Sequence, residues 1–390
     1  MRIAMIGPFG LHPKQTMRSR ALGLARPLVA RGHAVRLLMP PWDTPAEADR
    51  EWTENGVELR YIPLSGGALG ISRRLARETL AWRPDVVHAF KPKAYSGLAA
   101  EWLWRFHRGR VRLVIDTDDW EGAGGWNDIA PYSPLQKRFF ARQERWGLTH
   151  AHAVTVAGRT LESLVWSLGV PRERVRYLPN GPGIPLGPVT PTARAAARAR
   201  LGLGERPTVL VYSRLFEFDT ARLVAVLAGM RAAAPDMAVL LVGAGLYEAD
   251  AARFREQLAA AGLTDAVVDA GWVELAQLPA TLAAADMGLY LMDDTLLNRT
   301  KCPVKLADML AAGVPVAAEA VGQVTEYIRD GRTGVLCASG DVDGLVNGAV
   351  TLLTDQKMRE LWGTAAREDV ATRFSWPELS RSLEDLYRRL

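Results

Sequence analysis

The sequence predicts two doubly wound α/β domains in tandem. With 390 residues, the chain exceeds the ~250 to 300 residues that a single hydrophobic core usually serves. Hydrophobic residues make up 48% and charged residues 23% of the sequence, which is typical of a folded globular protein. Short apolar runs alternate with helix-like stretches along the chain, and this alternation predicts parallel sheets with helices on both faces.

The first half begins with the strand-like run RIAMIGPFG, followed by a helical pattern of apolar residues from Met17 to Val29. Gly32 is expected to end that helix, because glycine accepts the backbone conformation of a helix stop. The next strand-like runs are HAVRLLMP, VELRYIPL, DVVHAF and VRLVIDTD. Strand, loop and helix therefore recur in the order of a parallel sheet.

The same alternation restarts after residue 170. Its strand-like runs are RVRYLP, TVLVYSR, MAVLLVG, AVVDAGWV, MGLYLM, VPVAAE and GVLCAS, and residues 221–233, 250–261 and 303–312 are helix-like. Gly169 and Pro171 interrupt the pattern, so we place the domain boundary near residues 165–172. Ligands of parallel sheets bind outside the carboxyl ends of the strands, so we expect the chemistry in a cleft between the domains.

The composition excludes several classes of protein. Cys302 and Cys337 are the two cysteines, too few for a disulfide framework and without the spacing of a zinc site. No run reaches the ~18 to 20 apolar residues of a membrane span, and the apolar part of the start is too short for a signal peptide. The default expectation is a cytoplasmic protein of unknown oligomeric state.

Charge is divided unequally between the two halves. Residues 1–170 hold 24 basic and 16 acidic residues, a net charge of +8, whereas residues 171–390 carry −3. With no nucleic-acid-binding motif, the basic half indicates an anionic substrate or peripheral contact with an anionic membrane face. An arginine-rich composition from a GC-rich genome explains the charge equally well. Five tryptophans in residues 100–146, close to arginines, suit a membrane interface, an acceptor groove or a buried core.

A phosphate-binding site is indicated in the second half, although the Walker A and G-x-G-x-x-G sequences are missing. Pro303 can open a helix, so that the amides of Val304, Lys305 and Leu306 point toward an anion. Lys305 adds a full charge there. Asp308 lies on the same helix face, where its carboxylate can accept bonds from ribose hydroxyls.

Together with Arg214, which follows a strand, this segment predicts a diphosphate clamp. The alternative is a capped helix with ordinary solvated lysines.

The stretch from Pro303 to Ala317 resembles the sugar-donor helix of retaining GT-B glycosyltransferases of family 4, where a carboxylate precedes an Ala-x-Gly-x-Pro-Val signature. Further matches follow the family's order over nearly the whole chain. They are Arg31–Val35, Pro84–His88, Pro179–Gly181, Ser213–Leu215, Gly243–Gly245, Gly271–Val273, Ala285–Asp286, Val321–Gly322, Glu326 and Asp330–Gly334.

The resemblance implies two Rossmann-like domains, with residues 1–170 and 371–390 on the acceptor side and 171–370 binding the sugar donor. The final helix is expected to cross back to the first domain. The implied activity is retaining transfer of a sugar from a nucleotide-sugar to an unidentified hydroxyl of a glycan, a lipid-linked or a small molecule. It needs no cofactor, metal or nucleic acid. The alternatives are a non-catalytic sugar-nucleotide-binding protein and another GT-B enzyme such as a sugar-nucleotide epimerase.

The resemblance also assigns residues to the sugar donor. It implies that Arg214 and Lys305 hold the diphosphate during catalysis and that Asp308 takes the place of a ribose-binding glutamate. Trp272 and Val273 are expected near the base. The other predicted contacts to the sugar donor are Gly10, Lys14, Thr16, Gly243, Gly245, Thr300, Lys301, Val304 and Leu306. Gly10, Lys14 and Thr16 lie in the loop after the first strand-like run. An equal alternative is that this segment is a plain loop in which Thr16 caps the following helix.

Three positions depart from the family pattern. Asp219 stands where the family has a lysine five residues after the arginine, so phosphate binding depends on Lys301 or Lys305 as a substitute. Thr300 replaces a glutamate. An acidic run from Asp116 to Glu121 replaces a histidine.

That acidic run predicts an acceptor site. Asp118 or Asp119 can bond sugar hydroxyls or polarise the acceptor hydroxyl, with Trp120 and Glu121 beside the acceptor. Asp-x-Asp also ligates divalent cations in a different glycosyltransferase fold. The other alternative is that the carboxylates cap backbone amides of the loop 122–125.

Overall fold

The structure is a computed structural model that describes the whole chain except residues 15 and 244–247. It divides into two compact units. The first comprises Met1–Gly181, Arg299–Cys302 and Trp376–Leu390, and the second comprises Pro182–Asn298 and Pro303–Ser375. Each unit is built around its own parallel sheet, which confirms the predicted pair of Rossmann-like domains.

The first domain contains a sheet of eight described strands in the order β3-β4-β2-β1-β5-β6-β7-β8. All neighbours pair in parallel except β3 and β4, which are antiparallel. The strands are Arg2–Ile6 (β1), Ala34–Met39 (β2), Glu51–Glu54 (β3), Val57–Tyr61 (β4), Val86–Phe90 (β5), Arg112–Thr117 (β6), Ala153–Val156 (β7) and Val175–Tyr177 (β8).

Strand β8 corrects one expectation from the sequence. The run RVRYLP is strand-like, as predicted, but Val175–Tyr177 pairs with β7 in the first sheet and does not begin the second domain. An apolar run signals a strand without specifying the sheet that it joins, so the pattern alone cannot decide this point.

The second domain contains a sheet of six described strands, all parallel, in the order β11-β10-β9-β12-β13-β14. The strands are Thr208–Tyr212 (β9), Ala238–Val242 (β10), Val267–Asp269 (β11), Met287–Tyr290 (β12), Val316–Glu319 (β13) and Gly334–Cys337 (β14). Side chains from β9, β10 and β12 form the apolar core with those of the covering helices.

The described α-helices are Leu22–Ala30 (α1), Gly67–Ala81 (α2), Ala94–His107 (α3), Trp126–Ile129 (α4), Pro134–Thr149 (α5), Arg159–Ser167 (α6), Pro191–Arg200 (α7), Thr220–Ala233 (α8), Glu248–Ala260 (α9), Leu278–Ala283 (α10), Leu296–Thr300 (α11), Val304–Ala311 (α12), Val324–Tyr327 (α13), Val342–Thr354 (α14), Gln356–Arg373 (α15) and Trp376–Arg388 (α16). The three predicted helical stretches of the second half correspond to α8, α9 and α12. None of the described helices is long and apolar enough to cross a membrane.

Local signals account for several helix boundaries. Helix α1 ends just before Gly32, which has the predicted left-handed backbone with φ +86°. Ser133 begins α5 with a capping box, in which its hydroxyl accepts from the Gln136 amide and the Gln136 side chain accepts from the Ser133 amide. Asp219 accepts a bond from the amide of Ala221 and so caps α8.

Helix α16 completes the first domain. Leu379, Leu383 and Leu386 join the apolar core that α1 forms with β1 and β2. Gly23 of α1 lies against the Trp376 ring, where a Cβ would be 2.7 Å from a ring atom. The structure therefore confirms that the final helix returns to the first domain.

Candidate functional site

Arg214 stands two residues beyond the end of β9 in the second domain. The tight turn that follows it includes Leu215 in the left-handed region, with φ +66°, and the Leu215 amide donates to the Ser213 hydroxyl. The guanidinium lies 3.0 Å from Oε1 of Glu217 and 4.6 Å from the centre of the Phe216 ring. About two fifths of the Arg214 side chain, 40%, remains exposed. Part of the guanidinium is therefore open to a ligand beside this ion pair.

Lys305 brings a second cation to the same edge of the sheet. It lies in the first turn of α12, and its Nζ is 3.7 Å from the centre of the Tyr212 ring at the end of β9. A Cβ on Gly243, at the end of β10, would lie 3.6 Å from this Nζ. Among the described residues, no carboxylate comes within ion-pair distance of Lys305.

The pKa of Lys305 reflects these surroundings. Burial lowers it from the ordinary value to about 8, and repulsion from the Arg214 guanidinium lowers it further, against the attraction of Glu217 and Asp308. The two cations thus lie close enough to repel each other. An anion between them would relieve that repulsion, as in a phosphate site.

Asp308 also lies in α12, but the structure gives its carboxylate a partner that the sequence did not indicate. Its Oδ1 accepts bonds from the amides of Gly183, at 2.6 Å, and Ile184, at 3.1 Å. Burial raises the pKa of Asp308 to about 7, while these two amides lower it. The carboxylate therefore fixes the loop that opens the second domain. Its contact with a ribose stays a prediction.

The helix start around Lys305 has the predicted form with one difference. Pro303 precedes α12 as its cap residue and does not form its first turn. The amides of Val304, Lys305 and Leu306 occupy the first turn, where helical geometry leaves amides without partners inside the helix. The side chain of Val304 is half-buried and that of Leu306 is buried, and contact of their backbone amides with the sugar donor stays a prediction.

The remaining predicted sugar-donor residues of the second half are distributed as follows. Trp272 follows β11 and is 83% exposed, while Val273 is half-buried. Thr300 and Lys301 are buried in the segment that groups with the first domain. Lys301 Nζ lies 5.3 Å from the centre of the Trp126 ring. Lys305, and not Lys301, is thus the lysine beside Arg214. Gly245 lies outside the described residues.

The first loop shows a packing reason for its glycine. A Cβ on Gly10 would come within 3.0 Å of the Tyr61 hydroxyl, which accepts a bond from the Leu11 amide. Thr16 stands at the N-cap position of the π-helical turn Met17–Ala21 but makes no side-chain capping bond there. Lys14 Nζ lies 4.0 Å from the centre of the Trp42 ring. Contact of these residues with a sugar donor stays a prediction.

The acidic run after β6 forms ion pairs with two lysines that sequence reasoning missed. Lys91 Nζ lies 3.0 Å from Asp118 and 2.7 Å from Asp119, and Lys93 pairs with Glu121. The capping alternative is therefore wrong for these carboxylates, which bind side-chain ammonium groups. A signal was present, since Lys-Pro-Lys follows β5, and Phe90 of β5 pairs in register with Asp116 of β6.

Burial changes the protonation of this cluster. It raises the pKa of Asp118 to about 6 against the attraction of Lys91, and it raises the pKa of Glu144 to about 8. Glu144 accepts a bond from the Glu121 amide. Burial lowers the pKa of Lys91, but the charges of Asp118, Asp119 and Glu121 outweigh that effect and raise it well above its ordinary range. Lys91 is therefore always charged.

Trp120 is half-buried, and its Nε1 donates to the Ala123 carbonyl at 3.0 Å. Its ring covers Gly122 and Gly125, where a Cβ would come within 3.0 Å of Trp120 atoms. Trp120 thus shapes the glycine-rich loop, and its contact with an acceptor stays a prediction. No group of three or more metal-ligating side chains converges anywhere in the described residues.

Asp116, the first member of the acidic run, belongs to a buried network. Arg20 binds both of its carboxylate oxygens, at 2.8 and 2.6 Å, and the Thr155 hydroxyl donates to it. His88 contacts Thr155 and the Tyr387 hydroxyl, and burial lowers the pKa of His88 to about 4. His88 is therefore a neutral histidine packed inside the first domain.

Two family models match this chain. A glycosyl transferase 4-like domain matches residues 15–181, and a domain of glycosyl transferases group 1 matches residues 206–355. Each match falls on one of the two sheets described above.

Curated glycosyltransferases are among the relatives of this chain. A GDP-mannose-dependent alpha-(1-6)-phosphatidylinositol monomannoside mannosyltransferase of Mycolicibacterium smegmatis is 30% identical over 60% of this chain and 62% of its own length. The phosphatidyl-myo-inositol mannosyltransferase of Mycobacterium leprae is 25% identical over 99% of this chain and 96% of its own. The matches to the M. smegmatis enzyme and its Mycobacterium tuberculosis counterpart span only about three fifths of those relatives' length.

Solved structures show the same fold. The crystal structure of Anabaena HepE in complex with UDP has a TM-score of 0.76 and 18% identity over all of both chains. Sucrose-phosphate synthase from Thermosynechococcus elongatus has a TM-score of 0.74 and 21% identity over 100% of this chain and 98% of that one. With the two family models and the ordered sequence signatures, these likenesses establish that the chain belongs to the family-4-like glycosyltransferases of the GT-B fold.

Proposed function

We propose that this protein transfers a sugar from a nucleotide-sugar to a hydroxyl group, with retention of configuration at the anomeric carbon. The observation that supports it most directly is the pairing of Arg214, two residues beyond the end of β9, with Lys305 in the first turn of α12. Lys305 has no carboxylate partner among the described residues, and Arg214 has Glu217 alone. Two cations and free helix amides suit a diphosphate.

In the proposed reaction, Arg214 and Lys305 stabilise the negative charge that develops on the leaving diphosphate. The bond between the anomeric carbon and the phosphate oxygen breaks, and the acceptor oxygen forms a new bond on the same face of the sugar. The acceptor proton passes to the leaving phosphate, so no protein nucleophile takes part. Because the charges of Arg214 and Lys305 are already directed at the leaving diphosphate, they lower the activation barrier without a rearrangement of the protein during the reaction.

The ion-paired carboxylates of the first domain are proposed to orient the acceptor. Asp118 and Asp119 can accept bonds from acceptor hydroxyls, while Lys91 holds both carboxylates in place. Because Lys91 pairs with both carboxylates, an uncharged hydroxyl can bind there without leaving either carboxylate unpaired.

The first test measures thermal stabilisation by GDP, UDP, ADP and dTDP. GDP heads the series because the M. smegmatis relative is named as GDP-mannose-dependent. A ligand at ~100 times its dissociation constant adds about 2.7 kcal/mol to the free energy of unfolding. We expect one nucleotide to raise the melting temperature and Arg214→Ala to abolish the shift. No shift with any of the four would contradict the proposal.

The second test follows slow hydrolysis of the matching nucleotide-sugar in the presence of EDTA. A transferase without its acceptor is expected to release sugar to water, and the proposed use of Arg214 and Lys305 predicts that chelation leaves the rate unchanged. Binding without hydrolysis or transfer would favour a non-catalytic sugar-nucleotide-binding protein. An isomeric nucleotide-sugar as product would favour an epimerase.

We further propose that the first domain contacts an anionic membrane face through the outer side of α5. Leu135 is 79% exposed, and Arg138, Phe139 and Arg142 are exposed on the same side at helical spacing. Exposed Ile129 of α4 adds to this surface, since α4 packs on α5. Apolar side chains flanked by arginines suit insertion between anionic headgroups.

Sedimentation with vesicles tests the membrane contact. We expect binding to phosphatidylcholine vesicles that contain phosphatidylglycerol and much weaker binding to phosphatidylcholine alone. The double variant Leu135→Glu/Phe139→Glu should release the protein. Leu361→Glu, at an exposed leucine of the second domain, is the matched control. Equal sedimentation of both variants would contradict the proposal.

A further inference from the structure

The turn after β2 in the first domain holds a group of polar atoms without hydrogen-bond partners. Both carboxylate oxygens of Asp43 and the hydroxyl of Thr44 are buried, and none of them makes a hydrogen bond to another described residue. Buried polar atoms in folded proteins are nearly always bonded to protein, water or a ligand. Three such oxygens on two consecutive residues therefore indicate a place for a polar ligand.

Trp42 gives the same turn an aromatic surface. Its ring is held in place because Nε1 donates to the Pro8 carbonyl at 3.0 Å, yet 41% of the residue is exposed. Lys14 Nζ lies 4.0 Å from the ring centre and makes no ion pair with a described carboxylate. The electron-rich face of the indole thus already attracts a positively polarised group.

We propose that Trp42, Asp43, Thr44 and Lys14 form a saccharide-binding subsite for the acceptor. A sugar ring presents polarised C–H groups on one face and hydroxyls around its edge. The exposed part of the Trp42 indole suits the C–H groups of the sugar face. The Asp43 carboxylate can accept hydrogen bonds from the sugar hydroxyls, and the Lys14 ammonium can donate to them. The assignment rests on the proposed function in one respect, that the bound sugar is part of the acceptor.

The position in the fold supports a ligand site. Lys14 lies in the loop after β1, Trp42 and Asp43 follow β2, and these two strands are parallel neighbours in the sheet. Ligands of such sheets bind beyond the carboxyl ends of the strands. One carboxylate and one ammonium also balance each other, which favours an uncharged saccharide over an anion. The subsite gives Lys14 this role in place of the predicted contact with the sugar donor.

Saturation-transfer NMR on the full-length protein tests the subsite. The probes are methyl α-D-mannopyranoside, methyl α-D-glucopyranoside, N-acetyl-D-glucosamine and myo-inositol. We expect saturation of the ring protons of at least one probe by the wild-type protein. Asp43→Asn and Trp42→Ala should each weaken its binding about tenfold, the loss expected for one charge-assisted hydrogen bond or a stacked ring. Trp42→Phe should retain part of the binding.

Phe106→Ala, which removes an exposed aromatic side chain of α3 in the first domain, is the matched control and should leave the signal unchanged. Absence of saturation for all four probes with the wild-type protein, or signals in Asp43→Asn and Trp42→Ala that equal the wild-type signal, overturns the subsite. Loss of the probe signal on adding a saturating nucleotide-sugar overturns its assignment to the acceptor, because the sugar of the donor then fills the same place.

Thermal shift with nucleoside diphosphates separates this inference from the proposed function. If a nucleotide stabilises the wild-type protein while no saccharide binds, the subsite fails and the proposed function stands. If no nucleotide binds either, both fail. Stabilisation of Asp43→Asn by the nucleotide, to the same extent as wild type, shows in addition that this variant is folded.

Discussion

Two pairs of cations stand at strand ends in the two domains, and their surroundings are opposite. Lys91 and Lys93 of the first domain are bound by the carboxylates of Asp118, Asp119 and Glu121. Arg214 and Lys305 of the second domain face Glu217 as the one carboxylate within ion-pair distance in the described residues.

This difference indicates what each site can bind. Ion-paired carboxylates favour a hydroxyl-bearing molecule over an anion in the first domain, whereas excess positive charge favours a diphosphate in the second. Basic side chains at the two sites are therefore suited to two different ligands, according to whether carboxylates pair with them.

The largest expected effect is on stability and comes from Lys91. In Lys91→Met, Asp118 and Asp119 stay buried without their counterion, and we expect the free energy of unfolding to fall by about 3 to 5 kcal/mol. Urea denaturation measures it. Lys91→Met/Asp119→Asn should recover part of the loss, since it removes one of the unpaired charges. Unchanged stability in the single variant would show that these ion pairs do not hold the cluster together.

Arg214→Ala tests the site of the second domain, where the cations are in excess. We expect turnover to fall by about 10² to 10³, the usual cost of removing one group that stabilises transition-state charge, with little change in melting temperature because the side chain is 40% exposed. Arg253→Ala, at an exposed arginine of α9, is the control. Full activity of Arg214→Ala would remove the basis for the diphosphate site.

The unpaired state of Lys305 predicts a pH dependence. Its lowered pKa of about 8 means that the ammonium is charged at pH 7 and mostly neutral at pH 9. Diphosphate affinity should therefore decrease as pH rises through about 8, by about tenfold between pH 7 and pH 9 if the charged form binds. Titration calorimetry measures this, and Lys305→Arg should flatten the profile. A flat wild-type profile would show that Lys305 does not contact the diphosphate.

The smallest effect is expected at Asp219. Asp219→Asn keeps the cap on α8, since asparagine caps as well as aspartate, and removes a negative charge five residues after Arg214 in the sequence. We expect diphosphate affinity to improve about two- to fourfold. Asp219→Lys restores the family residue and should improve affinity further, while the lost cap costs about 1 kcal/mol of stability. Weaker binding by both variants would show that Asp219 supports the site.

Sequence reasoning predicted the fold and the cluster around Arg214 and Lys305 because both depend on local signals. Apolar alternation identifies strands, and a short signature identifies α12. It missed Lys91 and Lys93 because their partners follow a different strand, and the pairing becomes visible only when β5 and β6 are known to be neighbours.

The role of Asp308 in binding the amides of Gly183 and Ile184 was missed for the same reason, since more than a hundred residues separate the partners. Sequence reasoning found no indication of a site at Asp43 and Thr44, because the lack of hydrogen-bond partners for their oxygens depends on how the chain packs. Composition and periodicity cannot report it.

The return of α16 to the first domain has a consequence for biosynthesis. The Tyr387 hydroxyl bonds to His88, a partner 299 residues earlier, and Leu383 fills the core beside α1. At roughly 5 to 20 residues per second, translation takes roughly 15 to 60 s to cover that interval. During that time the nascent first domain exposes the groove later filled by α16. This groove is therefore the part of the nascent chain that we expect to depend most on a chaperone that binds exposed apolar surface.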